Sequence, residues 1–171
     1  MRILFLSTWF PYPPDNGSKL RVYHLLRALA QDHAVTLVSF AFDTARPEQP
    51  RDLCADIQAV HVDPFAANRA GTLRTFLSAR PMASRPIPAM TRLVADVLRA
   101  NTFDIVIAST EMMANYALLA PLGTARILEE HNSMTRWMHE RYAAQKTPLQ
   151  RLRCWASWQK RRRYEASFYP G

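Results

Sequence analysis

The chain has 171 residues, 49% of them hydrophobic and 21% charged, so it is long enough for one domain with a proper core. Its net charge of +8 suits contact with a phosphate-bearing substrate, anionic lipid or nucleic acid. The two cysteines, Cys54 and Cys154, have no CxxC or Cys/His spacing, which argues against a zinc site. No apolar run approaches the roughly 18 to 20 residues of a membrane span. Because a signal peptide is also missing, the sequence predicts a cytoplasmic protein.

Strand and helix patterns alternate along the chain. The strand candidates are continuous apolar runs, which are typical of a parallel sheet covered on both faces. The fold expected is therefore α/β, a Rossmann-like, doubly wound and mainly parallel sheet with helices on both faces. Strands are predicted at 2–7, 34–40, 57–62, 103–108 and 125–128, and helices at 18–31, 71–79, 89–100, 111–119 and 133–168, the last interrupted at Pro148.

The loop from Ser7 to Asn16 follows the first strand, at the edge of the sheet where parallel α/β proteins bind ligands. Pro14 and its aromatic neighbours indicate a shaped pocket there. Asp15, Asn16 and Ser18 are the candidate caps of the helix that follows. Gly17 opens the first helix, whose free N–H groups and dipole favour a phosphate or carboxylate, although Gly17 as a simple turn residue is the alternative. The loop has no GxGxxG or Walker pattern.

Two more polar segments follow strands at the same edge. Ser109, Thr110 and Glu111 come after "FDIVIA", where they either line a cleft or cap the next helix. His131 and Asn132 follow the last strand in the segment "EEHN". An imidazole beside carboxylates suits acid–base chemistry. The alternative is that His131 is a hydrogen-bonded loop residue and that Asn132 caps the helix that follows. We predict no metal site and no cofactor.

Basic residues gather near the C-terminus, close to two tryptophans. The cluster fits either a solvated helix face or contact with an anionic membrane. Trp155 and Trp158 fit core or interface packing, with anchoring at a membrane surface as the alternative. The basic residues are Arg151, Arg153, Lys160, Arg161, Arg162 and Arg163.

The sequence resembles the family-4 glycosyltransferases, the retaining enzymes of GT-B fold. Its opening fits the family frame "GxxxRxxxLxxxLxxxHxVxLxxF", with Gly17, Arg21 and His33 at the corresponding places. "FDIVIAST" and the segment from "ILEEHNS" to "RRYE" resemble later parts of the family, so the likeness covers essentially the whole chain.

The resemblance implies one N-terminal Rossmann-like domain, 1–171, on the acceptor side of a cleft. A nucleotide-sugar would be held mainly by a C-terminal donor domain that is absent from this chain, so the fragment alone is expected to be inactive. The acceptor would be a glycan, a lipid-linked molecule or a small molecule. The site residues expected are His131 and Glu111 as catalytic groups, with Pro14, Asn16, Gly17, Arg21, Ser109, Thr110 and Asn132 as substrate contacts.

Two other interpretations remain open at this point. One is a Rossmann-like module that binds a nucleotide by itself, and the other is a basic protein that acts at nucleic acid or a membrane surface. No nucleic-acid-binding motif accompanies the charge, so nucleic acid is not predicted as a partner. We expect self-association through an unfinished sheet edge. We also expect peripheral contact with the inner membrane face.

Overall fold

The computed structural model describes residues 1–42, 53–66 and 85–168. The helix predicted at 71–79 lies outside these residues. The chain divides into two compact units. We call them the sheet unit, Met1–Ala66 with Pro86–His131, and the helical unit, Ala67–Arg85 with Asn132–Gly171.

Ten helices and strands occur in the described residues, and they follow the predicted order. The sheet unit contains β1 (Arg2–Ser7), α1 (Gly17–Leu29), β2 (Ala34–Phe40), β3 (Asp56–Val60), α2 (Pro88–Ala100), β4 (Ile105–Ser109), α3 (Glu111–Ala117) and β5 (Ala125–Glu129). The helical unit contains α4 (Met134–Ala143) and α5 (Pro148–Phe168). The helical pattern predicted at 133–168 is interrupted as expected, since α4 ends at Ala143 and Pro148 begins α5, where proline is well accommodated in a first helical turn.

The five strands form one parallel sheet in the order β3-β2-β1-β4-β5. This arrangement confirms the predicted α/β, Rossmann-like fold. Ser7 at the end of β1 lies opposite Ser39 of β2 and Ser109 of β4, and Ser109 lies opposite Glu129 of β5. The strands therefore end level with one another, and the loops that follow them meet at one edge.

Each face of the sheet has its own apolar core, because successive strand side chains point to opposite faces. Ile3 and Phe5 of β1 pack with Val22 and Leu26 of α1. The intervening residues of β1 pack on the other face in a cluster with α2 and α3. That second cluster includes Leu4, Leu6, Met90, Val94, Met113 and Tyr116. Helices thus cover both faces, as a sheet of buried apolar strands requires.

Strand β5 is the least buried strand of the sheet. Ile127 is 47% exposed and Leu128 is 37% exposed, although both belong to a strand. Leu122, in the loop before β5, is 96% exposed. Exposed apolar side chains on an edge strand favour pairing with another chain, so self-association stays a prediction.

The helical unit is held together by an aromatic cluster and by one buried ion pair. Trp158 of α5 lies 4.7 Å from the ring of His139 and stacks on Tyr142 at 5.9 Å. Arg161 pairs with Glu165, which also accepts a hydrogen bond from Thr135 of α4. Ser133, rather than Asn132, caps α4. No helix among the described residues is long and apolar enough to cross a bilayer.

Candidate functional site

A row of polar side chains crosses the sheet at the carboxyl ends of its strands. Ser39, Ser7, Ser109 and Glu129 are neighbours in the register of four adjacent strands. The three serines are completely buried. By the alternation of strand side chains, the row lies on the α1 face, where it closes the apolar core below it.

Glu129 joins three of the groups at this edge. Its Oε1 accepts from Arg21 Nε of α1 at 2.6 Å. Its Oε2 accepts from Ser109 Oγ at 2.9 Å and lies 2.9 Å from His131 Nε2. The Arg21 side chain is 55% exposed, whereas those of Glu129 and His131 are 15% and 9% exposed. One carboxylate therefore connects a solvent-facing guanidinium to an almost buried imidazole.

The arrangement is not that of a serine hydrolase. In a catalytic triad the serine and the carboxylate bind opposite nitrogens of the imidazole. Here Ser109 Oγ, at 3.1 Å, and Glu129 Oε2 both face Nε2 of His131. Since an ionised carboxylate only accepts hydrogen bonds, Nε2 carries the proton and donates to Glu129. Glu129 thus fixes the ring and its tautomer.

The carboxylate of Glu130 occupies the N-terminus of α3. Its Oε2 accepts from the backbone N–H of Glu111 at 3.0 Å, and its Oε1 accepts from that of His131 at 3.3 Å. An anion at this position is stabilised by the helix dipole. The protein therefore fills the start of α3 with its own negative charge, and Glu111 itself is buried, with 2% exposed.

The turn between β4 and α3 contains an unusual backbone. Thr110 has φ 78° and ψ 154°, a combination of backbone angles that residues other than glycine rarely adopt. Its N–H donates to the carbonyl of Glu129 at 2.8 Å, and its hydroxyl lies 2.7 Å from that of Thr8. These two contacts hold the strained turn, and they join the loop after β1 to the loop after β4.

The start of α1 is open. Asn16 caps the helix by accepting from Lys19 N–H at 3.0 Å. A Cβ built on Gly17 would meet no atom within 4 Å, so the backbone here is accessible. Lys19 is buried, and its ammonium lies 3.2 Å from the half-exposed carboxylate of Asp15. This end of α1 therefore holds a lysine paired with one carboxylate, whereas the carboxylates of Glu111 and Glu130 lie at the start of α3, so the two helix starts differ in charge.

Aromatic side chains follow β1, β2 and β3 at the same edge. Trp9 stacks on Phe65 at 5.5 Å, and Phe65 meets Phe42 edge to face at 5.7 Å. Trp9 is tied to the serine row because its carbonyl accepts from Ser7 Oγ at 2.7 Å. Phe65 is 43% exposed. An apolar wall beside a few fixed polar groups is typical of a small-molecule site.

The predicted site residues are only partly brought together. Arg21, Ser109 and His131 all contact Glu129. Two other predicted site residues occupy the helix-cap positions that the sequence analysis offered as their alternative role. Asn16 is a helix cap, and Thr110 occupies the cap position of α3 without a side-chain cap bond. Pro14 is half-buried in the opening loop, and Asn132 belongs to the helical unit.

Three residues that the prediction did not place in the site have a part in it. Glu129 was visible as a carboxylate next to His131, but its central position needs the register of β4 and β5. Thr8 follows β1 as Thr110 follows β4, so knowledge that these strands pair would have joined them. Nothing in the sequence indicates that Lys19 is buried, since a lysine in a first helical turn ordinarily faces solvent.

Comparison with known proteins identifies the family of the chain. A family model described as Glycosyltransferase Family 4 matches residues 15–169, which is nearly the whole chain. No curated protein matches the sequence significantly. The matched segment contains α1, the buried strand β4 and the "EEHN" segment, on which the resemblance in sequence depends. With a Rossmann-like parallel sheet and a match over far more than half of its length, the chain belongs to glycosyltransferase family 4, as an N-terminal GT-B domain.

Proposed function

We propose that this domain forms the acceptor side of the cleft of a retaining glycosyltransferase. The enzyme transfers a sugar from a nucleotide-sugar to a glycan, a lipid-linked molecule or a small molecule. The observation that carries the proposal is the cluster of Arg21, Ser109 and His131 around Glu129, at the carboxyl edge of the sheet.

His131 orients a substrate hydroxyl in this proposal and does not abstract a proton. Its Nε2 proton is engaged by Glu129, so Nδ1 is the nitrogen that accepts a hydrogen bond from a sugar hydroxyl. A retaining transferase needs no dedicated base on its acceptor domain. The buried position of the ring, with 9% of its side chain exposed, supports an orienting role because the imidazole is held rigidly.

Gly17 and Arg21 receive an anionic group of the substrate. The start of α3 already holds the Glu130 carboxylate, whereas the start of α1 is accessible and adjoins an exposed guanidinium. A phosphate that reaches α1 competes with Glu129 for Arg21. The aromatic wall of Trp9 and Phe65 then offers a face for the apolar side of an acceptor sugar.

The nucleotide is held mainly by a second domain in this proposal. The chain alone therefore binds a nucleotide-sugar weakly and does not turn it over. A direct test is a titration of the isotope-labelled chain with UDP-glucose and with GDP-mannose, followed by amide NMR shifts. We expect millimolar-range binding, with shifts grouped at Gly17, Arg21, Ser109 and His131.

Matched variants sharpen the test. Arg21→Gln should abolish the shifts, whereas Arg27→Gln, on the same helix but in its last turn, should leave them unchanged. The same titration with NAD separates the alternative. Micromolar binding of NAD would identify a stand-alone dinucleotide module, and shifts confined to the opposite edge of the sheet would refute the proposed site.

A further inference from the structure

Helix α5 of the helical unit has exposed side chains that do not pack on α4. Helix α5 presents one side to α4 and leaves the other side to solvent. Toward α4 lie Trp158, which packs on His139 and Tyr142, and Arg161 with its partner Glu165. Cys154, Trp158, Arg161 and Glu165 are spaced by four, three and four residues, so they share this side of the helix.

The opposite side of α5 is apolar in its first two turns, whereas Gln159 and Arg163 lie on that side further along the helix. Leu149, Leu152 and Trp155 recur at intervals of three residues and therefore share a side of the helix. They are 79%, 61% and 43% exposed. We call these three residues the apolar stripe. Scattered single leucines need no explanation, but an aligned stripe that ends in a tryptophan indicates an interaction surface.

Arginines flank the apolar stripe on both sides. By helical geometry Arg151 and Arg162 lie along one border and Arg153 along the other, and all three are exposed. The segment 132–168 contains nine Lys or Arg residues but only two Glu, so it carries most of the net charge of +8. Long arginine side chains extend from an apolar surface to reach anionic groups above it.

A polar groove adjoins this face. It runs between α4 and α5 and is lined by Arg141, Gln145, Gln150 and Arg153, among others. Guanidinium and amide N–H groups are suitable donors for a lipid phosphate. Arg153 belongs both to the groove and to the border of the stripe, so a phosphate in the groove would lie at the level of the stripe.

We propose that α5 docks on an anionic lipid bilayer, with the apolar stripe inserted at the headgroup boundary and the arginines on lipid phosphates. Apolar residues flanked by Lys or Arg, with tryptophan among them, are the composition of helices that lie in a membrane interface. Nucleic acid fits less well, because phosphate contacts need the arginines but give no reason for a leucine that is 79% exposed.

The test is flotation of the 171-residue chain with vesicles of phosphatidylcholine, with or without phosphatidylglycerol. We expect binding only to the anionic vesicles, and a loss of binding at high salt. Arg153→Gln with Arg162→Gln should weaken partition about fivefold per arginine. Leu149→Ser with Leu152→Ser should weaken it on the order of tenfold.

Matched controls lie in the sheet unit. Leu118→Ser with Leu122→Ser removes two leucines that are 51% and 96% exposed, and Arg27→Gln with Arg99→Gln removes two exposed arginines. Neither pair should change flotation. Circular dichroism confirms that each variant is folded. Equal binding to both vesicle types, or no binding, would refute the proposal. The proposal would also be refuted if the Leu149→Ser with Leu152→Ser variant bound vesicles as well as the parent chain does and the parent chain bound duplex DNA tightly.

Discussion

Glu129→Gln tests whether the carboxylate of Glu129 organises the site. The substitution keeps the size of the side chain but removes its charge. An amide has one oxygen that accepts and one nitrogen that only donates. It can satisfy either Arg21 on one side or Ser109 and His131 on the other, but not all three as Glu129 does.

The expected cost follows from the burial of each partner. A hydrogen bond to a charged group contributes about 1.5–3 kcal/mol, and Ser109 and His131 each contribute one in nearly buried surroundings. The ion pair with Arg21 adds less than about 1 kcal/mol, because that side chain is 55% exposed and screened by water. Since one oxygen remains, we expect a loss of about 2–3 kcal/mol in the free energy of unfolding.

Urea denaturation, followed by circular dichroism, measures this loss. Double-mutant cycles divide it between the partners: Ser109→Ala should couple to Glu129→Gln by about 1–2 kcal/mol, and Arg21→Gln by less than about 1 kcal/mol. Glu140→Gln, in an exposed pair with Arg136, is the control and should change stability by less than about 0.5 kcal/mol. If Glu129→Gln behaves like the control, the carboxylate does not hold the site together.

Three further predictions concern the sheet unit. In urea denaturation, the free energy of unfolding of Thr110→Gly should exceed that of Thr110→Ala by about 1 kcal/mol, because glycine adopts φ 78° without backbone strain. The reverse order would contradict the strained turn. Tyr116→Phe should cost about 1–3 kcal/mol in urea denaturation, because the Ile87 N–H loses the hydroxyl that accepts from it; no loss would mean that water replaces it. Burial, with a smaller contribution from Asp56, raises the pKa of Cys54 to about 12. In the unfolded chain the thiol has a pKa near 9, so its contribution to the free energy of unfolding is complete below pH 9 and is lost between about pH 9 and 12. Cys54→Ser removes this contribution and should therefore make the melting temperature fall less steeply over that pH range.

Much of the fold was predictable because strands and helices alternate with clear periods. The strands at 2–7 and 34–40 are confirmed to the residue, since each is a short, mainly apolar run of strand length. The predicted strand at 103–108 instead spans Ile105–Ser109, and Asp104 directly before it accepts from the backbone N–H of Arg2 through its carboxylate. The interruption predicted at Pro148 is confirmed, because proline disrupts a helix interior but is accommodated in a first turn, so α4 ends at Ala143 and α5 begins at Pro148.

The site was less predictable because it depends on which strands pair. The sequence predicts that Ser7 ends a strand and that Ser109 and Glu129 directly follow strands, but only the order β1-β4-β5 makes them neighbours. The capping role of Asn16 was among the alternatives that the sequence left open, and the structure favours it. The burial of Lys19 arises from tertiary packing around the opening loop, which no local pattern encodes.

The exposed position of β5 has a consequence for the groups at its end. Glu129 and His131 depend on a strand that is held mainly by its ladder with β4, with little burial of its own. Local opening requires less free energy where few apolar contacts are lost. The amides of β5 should therefore exchange with deuterium sooner than those of β1, and in each such opening the imidazole leaves its partners while the rest of the sheet stays intact. Anything that covers the outer side of β5 would slow this exchange and hold the imidazole in register.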